Sequence, residues 1–425
     1  MVASSHPYAA AIRDSTNTTL TALAAAYLQP WAAGITQRQL DDAHLHWADY
    51  RDPQWGGYLP PPTSINRLLR LTILSGRLHY VNSASSRSSR RLARQRVALR
   101  LVQHALDAHG LPDLDLVLSI ADRPTVPRRL ATRRPPPVFA YARTHAHLAI
   151  PFPYLSFDPL RWPRLHAARA RRPPLARREP KAIWRGACNS LCDMMRGRRC
   201  SPLTDLALLD RYALLRAAER CPHLADVAIT AHHRNCPGVR VLPPMPMAEH
   251  ARYAFLLHVD GNGFSGRLDE LFSLGGAILK QDSPFEAFYY PLLRRGVHFA
   301  PLHRNLSNLC HEVHRLSAQA ADGASPPGVS AEAQRIASEG AAFSAEYLSL
   351  DAVTAYLATL LRQYAALQRF RPRLPADAVL WRPAQSQPTT GQRSGREGGV
   401  SCGHNALCCQ RHPRACRVRA DAAST

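Results

Sequence analysis

The sequence has almost no lysine. Lysine occurs only at Lys181 and Lys280, so nearly all of the 54 basic residues are arginine. With 31 acidic residues, the formal net charge is +23 at pH 7. The arginines are spread along the chain and do not form one stripe with interleaved aromatic residues, which argues against a nucleic-acid-binding surface. Many of them are expected to be solvated, and the functional explanation is an anionic partner, either a nucleic acid or, more in keeping with this spread, a nucleotide-phosphate ligand.

Long apolar runs are also missing. No segment reaches the roughly 20 apolar residues that span a bilayer. The start, MVASSHPYAAAIRDSTNTTL, lacks the basic and uninterrupted apolar regions of a secretory signal. The composition is otherwise that of a folded protein, with 46% hydrophobic and 20% charged residues. A chain of 425 residues is long enough for two domains, each with its own core.

Cysteine is present but does not fix the compartment. The ten cysteines fall into a body group and a tail group: Cys188, Cys192, Cys200, Cys221, Cys236 and Cys310, then Cys402, Cys408, Cys409 and Cys416. The even body count permits disulfides without requiring them. The tail CGHNALCCQRHPRACR and the segment AHHRNC lack a recognised zinc spacing, so we predict no metal site. Two N-glycosylation sequons, Asn17-Thr18-Thr19 and Asn305-Leu306-Ser307, belong to a class of triplet that often arises by chance.

Apolar periodicity predicts alternating helices and strands. LLRLTILSGRLHYV predicts two strands joined at Ser75-Gly76, and the next periodic segment predicts a helix that ends at Gly110. LDLVLSI, KAIWRGA, YAFLLHV and AILK predict strands, while LTDLALLDRYALLRAAERC and GRLDELFSLGG predict helices. A long helical period follows to about residue 368. This alternation indicates an α/β fold.

Composition divides the chain into six segments. We predict an N-terminal helical extension (1–60), a first α/β domain (61–150), a Pro/Arg-rich connector (151–180), a second α/β domain (181–330), C-terminal helices (331–370) and a disordered tail (385–425).

The stretch DGNGFSGRL has the G-x-G-x-x-G spacing of a dinucleotide-binding turn at Gly261, Gly263 and Gly266. A strand, a turn of small residues and a helix starting near Ser265 bring backbone N–H groups to one point, which favours anionic oxygen. Arg267 adds a guanidinium suited to bidentate phosphate contact. The stretch therefore predicts a diphosphate-binding loop.

NAD or FAD is the alternative ligand for this loop. It requires an acid about 20 residues further on, and Asp282 has that spacing. The motif lies late in the chain, however, and irregular, proline-containing sequence follows it, which leaves little room for the other strands of a dinucleotide domain. A nucleotide-sugar diphosphate is the better prediction.

Two upstream motifs supply further candidates. Asp122, in SIADRP, follows a predicted buried strand, where an aspartate is well placed as a general base, although a turn-capping Asp fits the same position. Arg185 and Gly186, in WRGACNS, place an arginine beside a tight backbone turn at a strand end. A Trp and Arg packed at a domain boundary is the alternative there.

The stretch HARYAFLLHVDGNGFSGRLDELFSLGGAILKQDSPFEAFYYPLLRRGVHFAPLHRNLSNL resembles the C-terminal half of the capsule-associated protein 10-like family, glycosyltransferase family 90. That family includes protein O-glucosyltransferases and fungal capsule xylosyltransferases. GRLHYV, LPDLDLVLSIADRP, PPPVFAYART, IPFPYLSFDP and KAIWRGA match in the family's order, so the resemblance spans about residues 65 to 365.

The resemblance implies a GT-B fold, with two Rossmann-like domains facing a cleft and an inverting transfer from a UDP-sugar donor without a metal cofactor. Asp122 is then the base that deprotonates the acceptor hydroxyl. The implied UDP-sugar-binding residues are Arg185 and Gly186, Gly261, Gly263, Ser265 and Arg267 of the loop, and Glu286, Phe288 and Tyr289 on the nucleoside side.

The resemblance also sets expectations for partners. It implies a protein or glycan acceptor, no nucleic-acid partner and the secretory lumen (ER/Golgi), and leaves glucose or xylose and the oligomeric state open. Family members commonly carry a further arginine after WRG, for which Arg196, Arg198 and Arg199 are alternatives here. The competing function is an arginine-rich polyanion- or RNA-binding protein on a degenerate transferase scaffold.

Overall fold

The described residues form two large β-sheets with helices packed against them and a small two-stranded sheet of β-strands 317–318 and 328–329. This architecture confirms the predicted α/β class. The structure, a computed structural model, describes residues 16–46, 68–81, 89–122, 124–128, 135–162, 172–188, 210–231, 239–261, 263–318 and 328–383. The predicted tail 385–425, the alternatives Arg196, Arg198 and Arg199, and the residues His232, His233 and Cys236 lie outside the described residues. Within these ranges, no helix combines the length and apolar character that crossing a membrane requires.

The strands are numbered in chain order. They are β1 (Leu68–Leu74), β2 (Arg77–Val81), β3 (Leu114–Ser119), β4 (Val138–Ala140), β5 (Ile150–Pro151), β6 (Glu179–Ala187), β7 (Ala225–Ala231), β8 (Tyr253–His258), β9 (Ala277–Gln281), β10 (Ala300–Leu302), β11 (Ser317–Ala318), β12 (Gly328–Val329) and β13 (Ala378–Leu380).

The helices are numbered in the same way. They are α1 (Thr16–Leu28), α2 (Gln37–His46), α3 (Ser89–His109), α4 (Asp210–Ala218), α5 (Leu268–Leu274), α6 (Leu309–Leu316), α7 (Ala331–Tyr347) and α8 (Leu350–Leu367).

The first sheet has the strand order β13-β2-β1-β3-β4-β5. Strands β13, β2, β1 and β3 pair antiparallel, and β3, β4 and β5 pair parallel. The predicted turn between β1 and β2 is confirmed: Ser75 and Gly76 have φ of 50° and 71°, as a two-residue hairpin requires. Helix α3 ends where predicted, at Gly110, whose φ is 61°.

The second sheet is parallel throughout, with the order β10-β9-β8-β6-β7. Its central strand β8 is buried along its whole length, as expected for a parallel strand covered on both faces. Helix α7 packs on β9 and α5, while α4 packs on β7 and α6. Helix α8 packs on α1 and α3 and contacts β3 of the first sheet. Both sheets belong to one compact unit that ends at Trp381.

The C-terminal helices predicted for 331–370 are present as α7 and α8, whereas one predicted helix start is wrong. The Ser349 side chain accepts a hydrogen bond from the Ala352 N–H and begins α8. Helix α5 begins at Leu268 and not near Ser265. The Ser265 carbonyl accepts a hydrogen bond from the His258 ring and not from a helical N–H.

The predicted connector, 151–180, contributes to the core. Phe152 and Phe157 are buried, and the Asp158 carboxylate accepts hydrogen bonds from Arg100 of α3, with Nε at 2.8 Å. A short 3-10 helix, Leu155–Phe157, lies directly before Asp158. The segment therefore fixes side chains near the site described below.

Candidate active site

The order of the second sheet creates a crevice at one edge. From β6 the chain runs to its neighbour β7 and then returns to β8 on the other side of β6. Because β7 and β9 lie on opposite sides of the β6–β8 pair, the direction of the connections reverses between β6 and β8, and ligands of α/β proteins bind at such a switch point. The loop after β6 follows WRGA, and the loop after β8 is the glycine stretch.

The glycine loop is held by its own backbone and by a buried histidine. The Gly261 N–H donates to the Gly263 carbonyl at 2.9 Å. His258 Nε2–H donates to the Ser265 carbonyl at 3.0 Å. Burial, followed by the Lys280 charge, lowers the pKa of His258 to about 3, so the ring is neutral near pH 7. Ser265 itself is buried.

Two arginines share one indole at the crevice. The guanidinium carbons of Arg211 and Arg267 lie 5.5 and 5.4 Å from the centre of the buried Trp184 ring. Arg211 Nη1 donates to the Ala187 carbonyl at 2.9 Å, and Arg267 Nη1 donates to the Arg185 carbonyl at 2.7 Å. The end of β6 thus holds a guanidinium from α4 beside one from the glycine loop.

Glycines make room for this pair. A Cβ on Gly186 would lie 2.7 Å from the Trp184 ring and 3.1 Å from Arg267 Nη2. A Cβ on Gly261 would lie 2.8 Å from Arg211 Nη2. Larger side chains at either position would push the arginines from their places, so both predicted glycines border the arginine pair.

The electrostatics of the pair favour an anion. Burial, and then the Arg267 charge, lower the pKa of Arg211 to about 9. Burial also lowers the pKa of Arg267. Two neighbouring like charges in a buried place destabilise the ionised state of each other. A bound anion would remove that cost, and perturbed groups in a crevice mark functional sites.

An ion-pair network holds the start of α4, which carries Arg211. Arg304 bridges two carboxylates, with Nη2 2.8 Å from Asp210 and Nη1 2.7 Å from Asp260. Gln281, at the end of β9, donates to Asp210 at 3.1 Å. Burial raises the pKa of Asp210 to about 6, against the lowering effect of Arg304. The network ties α4 to the carboxyl ends of β8 and β9.

Arg185 points toward the neighbouring strand. Its guanidinium Nη2 lies 2.6 Å from Asp226 Oδ1, and its Nη1 donates to the Asp226 carbonyl at 2.8 Å. Its carbonyl oxygen, in contrast, accepts a hydrogen bond from Arg267 Nη1. Its direct contact with a diphosphate stays a prediction.

Asp122 lies against the glycine loop, although it comes from the first sheet. A Cβ on Gly263 would overlap the Asp122 carbonyl oxygen, so only glycine fits there. The Asp122 carboxylate is half-buried and pairs with Arg94 of α3, whose Nη2 lies 2.7 Å from Oδ1 and 2.8 Å from Oδ2. Burial acts to lower the pKa of Arg94, but the hydrogen bond and the charge of Asp122 outweigh burial. The pKa of Arg94 is therefore raised.

Aromatic side chains line the region between Asp122 and the loop. A Cβ on Gly266 would overlap the Tyr154 ring, which packs edge-to-face on Phe264 at 4.9 Å and on Tyr141 at 5.2 Å. Burial, and then the Asp122 charge, raise the pKa of Tyr154 to about 12, so its hydroxyl is a hydrogen-bond donor. Aromatic faces of this kind stack on sugar or base rings.

The third predicted motif lies deeper. Glu286 pairs with Arg143 at 3.0 Å, and the two backbones exchange hydrogen bonds of 3.1 and 2.8 Å. Phe288 is buried and stacks on Tyr356 with ring centres 4.6 Å apart. Tyr289 is buried beside it. The structure therefore places Phe288 and Tyr289 in the core, where a nucleoside contact stays a prediction.

A family model for glycosyl transferase family 90 matches residues 63–410. The chain belongs to glycosyl transferase family 90.

Two relatives of this chain are named as O-glucosyltransferases. Protein O-glucosyltransferase 1 of Mus musculus is 26% identical over 268 residues, which are 60% of this chain and 63% of the relative. O-glucosyltransferase rumi of Drosophila melanogaster is 24% identical over 288 residues, which are 64% of each chain. The chain therefore spans less than two thirds of the length of these relatives.

Sequence reasoning missed three side chains of this family 90 site: Arg211, Arg94 and Tyr154. Arg211 is the second residue of α4, which buries Asp210 as well as three apolar residues, and charges at the start of a helix are a weak sign of function. Arg94 lies inside a periodic helix, and Tyr154 lies in the stretch assigned to a connector. Neither position carried a signal in the sequence.

Proposed function

We propose that this chain is an inverting glycosyltransferase that moves glucose or xylose from a UDP-sugar to an acceptor hydroxyl on a protein or glycan. The observation that carries the proposal is the contact between Asp122 and Gly263, which brings the candidate base to the loop that borders the buried Arg211 and the partly buried Arg267. Family 90 membership and the O-glucosyltransferase names of the relatives support it and favour glucose and a protein acceptor.

The proposed arrangement is of the GT-B kind, with the acceptor on the side of the first sheet and the donor on the side of the second. Support comes from the switch point between β6 and β8, where the glycine loop begins. Asp122 follows β3 of the first sheet and therefore approaches the donor from the other side. In-line displacement needs a base and a leaving group on opposite faces of the anomeric carbon.

The proposed chemistry is a single displacement. The Asp122 carboxylate takes the proton of the acceptor hydroxyl, whose oxygen forms a bond to the anomeric carbon. The bond from that carbon to the UDP oxygen breaks, and the configuration inverts. Arg211 and Arg267 balance the negative charge that develops on the diphosphate, in a buried site where fixed cations act most strongly. No resident metal is needed for this balance.

Ligand-induced thermal stabilisation tests the donor class. UDP should raise the melting temperature in the presence of EDTA, because a ligand at a hundredfold excess over its Kd adds about 2.7 kcal/mol to the free energy of unfolding. Stabilisation by NADH, or by heparin or RNA, without stabilisation by UDP would overturn the proposal in favour of an oxidoreductase or a polyanion-binding protein.

A donor panel and one variant test the reaction. Hydrolysis or transfer is measured with UDP-glucose, UDP-xylose and other UDP-sugars, with analysis of the product anomer. Asp122→Asn should keep UDP-induced stabilisation and abolish transfer, because the amide cannot accept the hydroxyl proton. Full activity of this variant would refute the assignment of the base.

A further inference from the structure

The sequon Asn305-Leu306-Ser307 lies in the turn between β10 and α6. Asn305 and Ser307 are exposed, while the Leu306 side chain between them is fully buried with a φ of 59°. The buried leucine anchors the turn and presents the two polar residues on its outer side. The turn is thus an ordered, solvent-facing part of the described chain.

Hydrogen bonds in the turn leave the nucleophilic atom available. The Ser307 N–H donates to Asn305 Oδ1 at 3.1 Å, and the His303 ring contacts the Ser307 hydroxyl at 3.0 Å. Among the described residues, none accepts a hydrogen bond from Asn305 Nδ2. The oxygen of the side-chain amide is therefore engaged, while its nitrogen belongs to an exposed residue and has no acceptor among the described residues.

A disulfide next to the turn indicates the compartment. Cys310, on the helix that the turn enters, is bonded to Cys221. Structural disulfides persist in oxidising compartments such as the ER lumen. These are the compartments in which sequons are glycosylated.

We propose that Asn305 is an N-glycosylation site of this protein. The donor is an oligosaccharide on a lipid diphosphate, and the catalyst is an oligosaccharyltransferase of the same compartment. Asn305 Nδ2 forms a C–N bond to the anomeric carbon of the donor. The C–O bond to the diphosphate breaks, the Nδ2 proton passes to a base of the transferase, and the lipid diphosphate leaves.

The position is compatible with an intact crevice. The neighbouring Arg304 side chain turns inward to Asp210 and Asp260, away from the outer side of the turn. A glycan on Asn305 adds no charge to that network, so UDP-induced stabilisation should be the same with and without it. The other sequon is not included, because the Asn17 side chain lies outside the described residues.

The test is expression of the full chain behind a secretory leader in a eukaryotic host. A C-terminal tag with its own Asn-x-Thr acceptor reports whether each molecule entered the lumen. Peptides are mapped after enzymatic deglycosylation in heavy-oxygen water, which converts a glycosylated Asn into labelled Asp. The wild type is compared with Asn305→Gln, with Ser307→Ala, and with Ser307→Thr as the variant that keeps a hydroxyl.

The expected result is label at Asn305 in the wild type and in Ser307→Thr, and none at this position in Ser307→Ala. Asn305→Gln should migrate faster on a gel by the mass of one glycan. Label on the tag acceptor without label at Asn305 overturns the proposal, and so does label at Asn305 that survives Ser307→Ala. These outcomes do not depend on transferase activity of the chain.

Discussion

At the residue scale, the charge of Arg211 is expected to destabilise the free protein and to stabilise bound UDP. The side chain is buried beside a second cation, so its charge is unfavourable in the free protein. Arg211→Met should weaken UDP binding by roughly 10- to 100-fold, the value of one or two charge-assisted hydrogen bonds. The same change should leave the melting temperature of the free protein unchanged or higher. Calorimetric titration with UDP and thermal melts measure both effects.

Arg216 is the matched control for Arg211, because it lies on the same helix and its side chain is 62% exposed in an ion pair with Glu219. Arg216→Met should leave UDP affinity unchanged. Equal losses in the two variants would show that Arg211 acts through general charge and not through contact with the diphosphate.

Arg94 is a positioning residue for the Asp122 carboxylate, which its Nη2 contacts at both oxygens. Arg94→Gln removes the only cation within hydrogen-bonding distance of that carboxylate among the described residues. The value of kcat/KM for transfer should then fall by roughly 10- to 100-fold, the value of one hydrogen bond to a charged group. UDP-induced stabilisation should stay unchanged, because Asp122 and not the diphosphate loses its partner. The measurements are the rate of transfer and thermal melts with UDP.

The control for Arg94 is Arg96→Gln, an exposed position on the same helix, which should keep the wild-type rate of transfer. A purely structural role for Arg94 would lower the melting temperature and the UDP-induced stabilisation together with kcat/KM. That outcome would contradict the assignment.

At the element scale, much of the fold was predictable because local rules decide it. The β1–β2 hairpin and the end of α3 follow from residues that tolerate positive φ, and the buried strand β3 follows from a short apolar run. The position of the break between α7 and α8 was not predicted, because apolar residues at helical spacing lie on both sides of the capping Ser349. The burial of Arg211, Phe288 and Tyr289 depends on contacts far along the chain, which periodicity does not report.

Helix α5 contains a carboxyl group that should make stability fall with rising pH. Asp269 is buried and accepts a hydrogen bond from Ser156. Burial, and then the Glu270 charge, raise its pKa from 3.8 to about 7. Between these two values the folded state holds a proton that the unfolded state has lost, so this group lowers stability as pH rises through the window. The penalty is complete above about pH 7.

Asp269→Asn should therefore melt at a higher temperature than the wild type at about pH 8, with the advantage shrinking toward about pH 5. Other titrating groups, such as His258, cancel in this comparison. Asp351→Asn, at an exposed first-turn position of α8, should give the same difference at both pH values. A pH-independent difference for Asp269→Asn would show that its carboxyl is not protonated in the folded state.

At the scale of the whole molecule, part of the arginine content forms ion pairs inside the fold. Arg70 pairs with the buried Asp115, Arg100 with Asp158, and Arg304 with Asp210 and Asp260. The planar guanidinium makes two parallel hydrogen bonds to a carboxylate, which lysine cannot do. The arginine content therefore reports on internal pairing as well as on an anionic ligand.

The Cys221–Cys310 disulfide encloses most of the second sheet. The two cysteines are 89 residues apart, and β7, β8, β9 and β10 lie between them. In the chain-entropy model, a cross-link over such a loop stabilises the folded state by about 4 to 5 kcal/mol. The double variant Cys221→Ala/Cys310→Ala should therefore unfold at a clearly lower guanidinium concentration than the oxidised wild type.

The reductant supplies the control for this last prediction. In the presence of reductant the wild type loses its cross-links, so the midpoints of the two proteins should converge. Convergence would show that the difference between the oxidised proteins comes from the entropy that the cross-link removes from the unfolded chain. The reason is that the side-chain packing of each protein stays the same when the reductant is added. A difference that persists in reductant would instead assign the effect to the cavity left by the two sulfur atoms, and the second sheet would then owe its stability to packing and not to the cross-link.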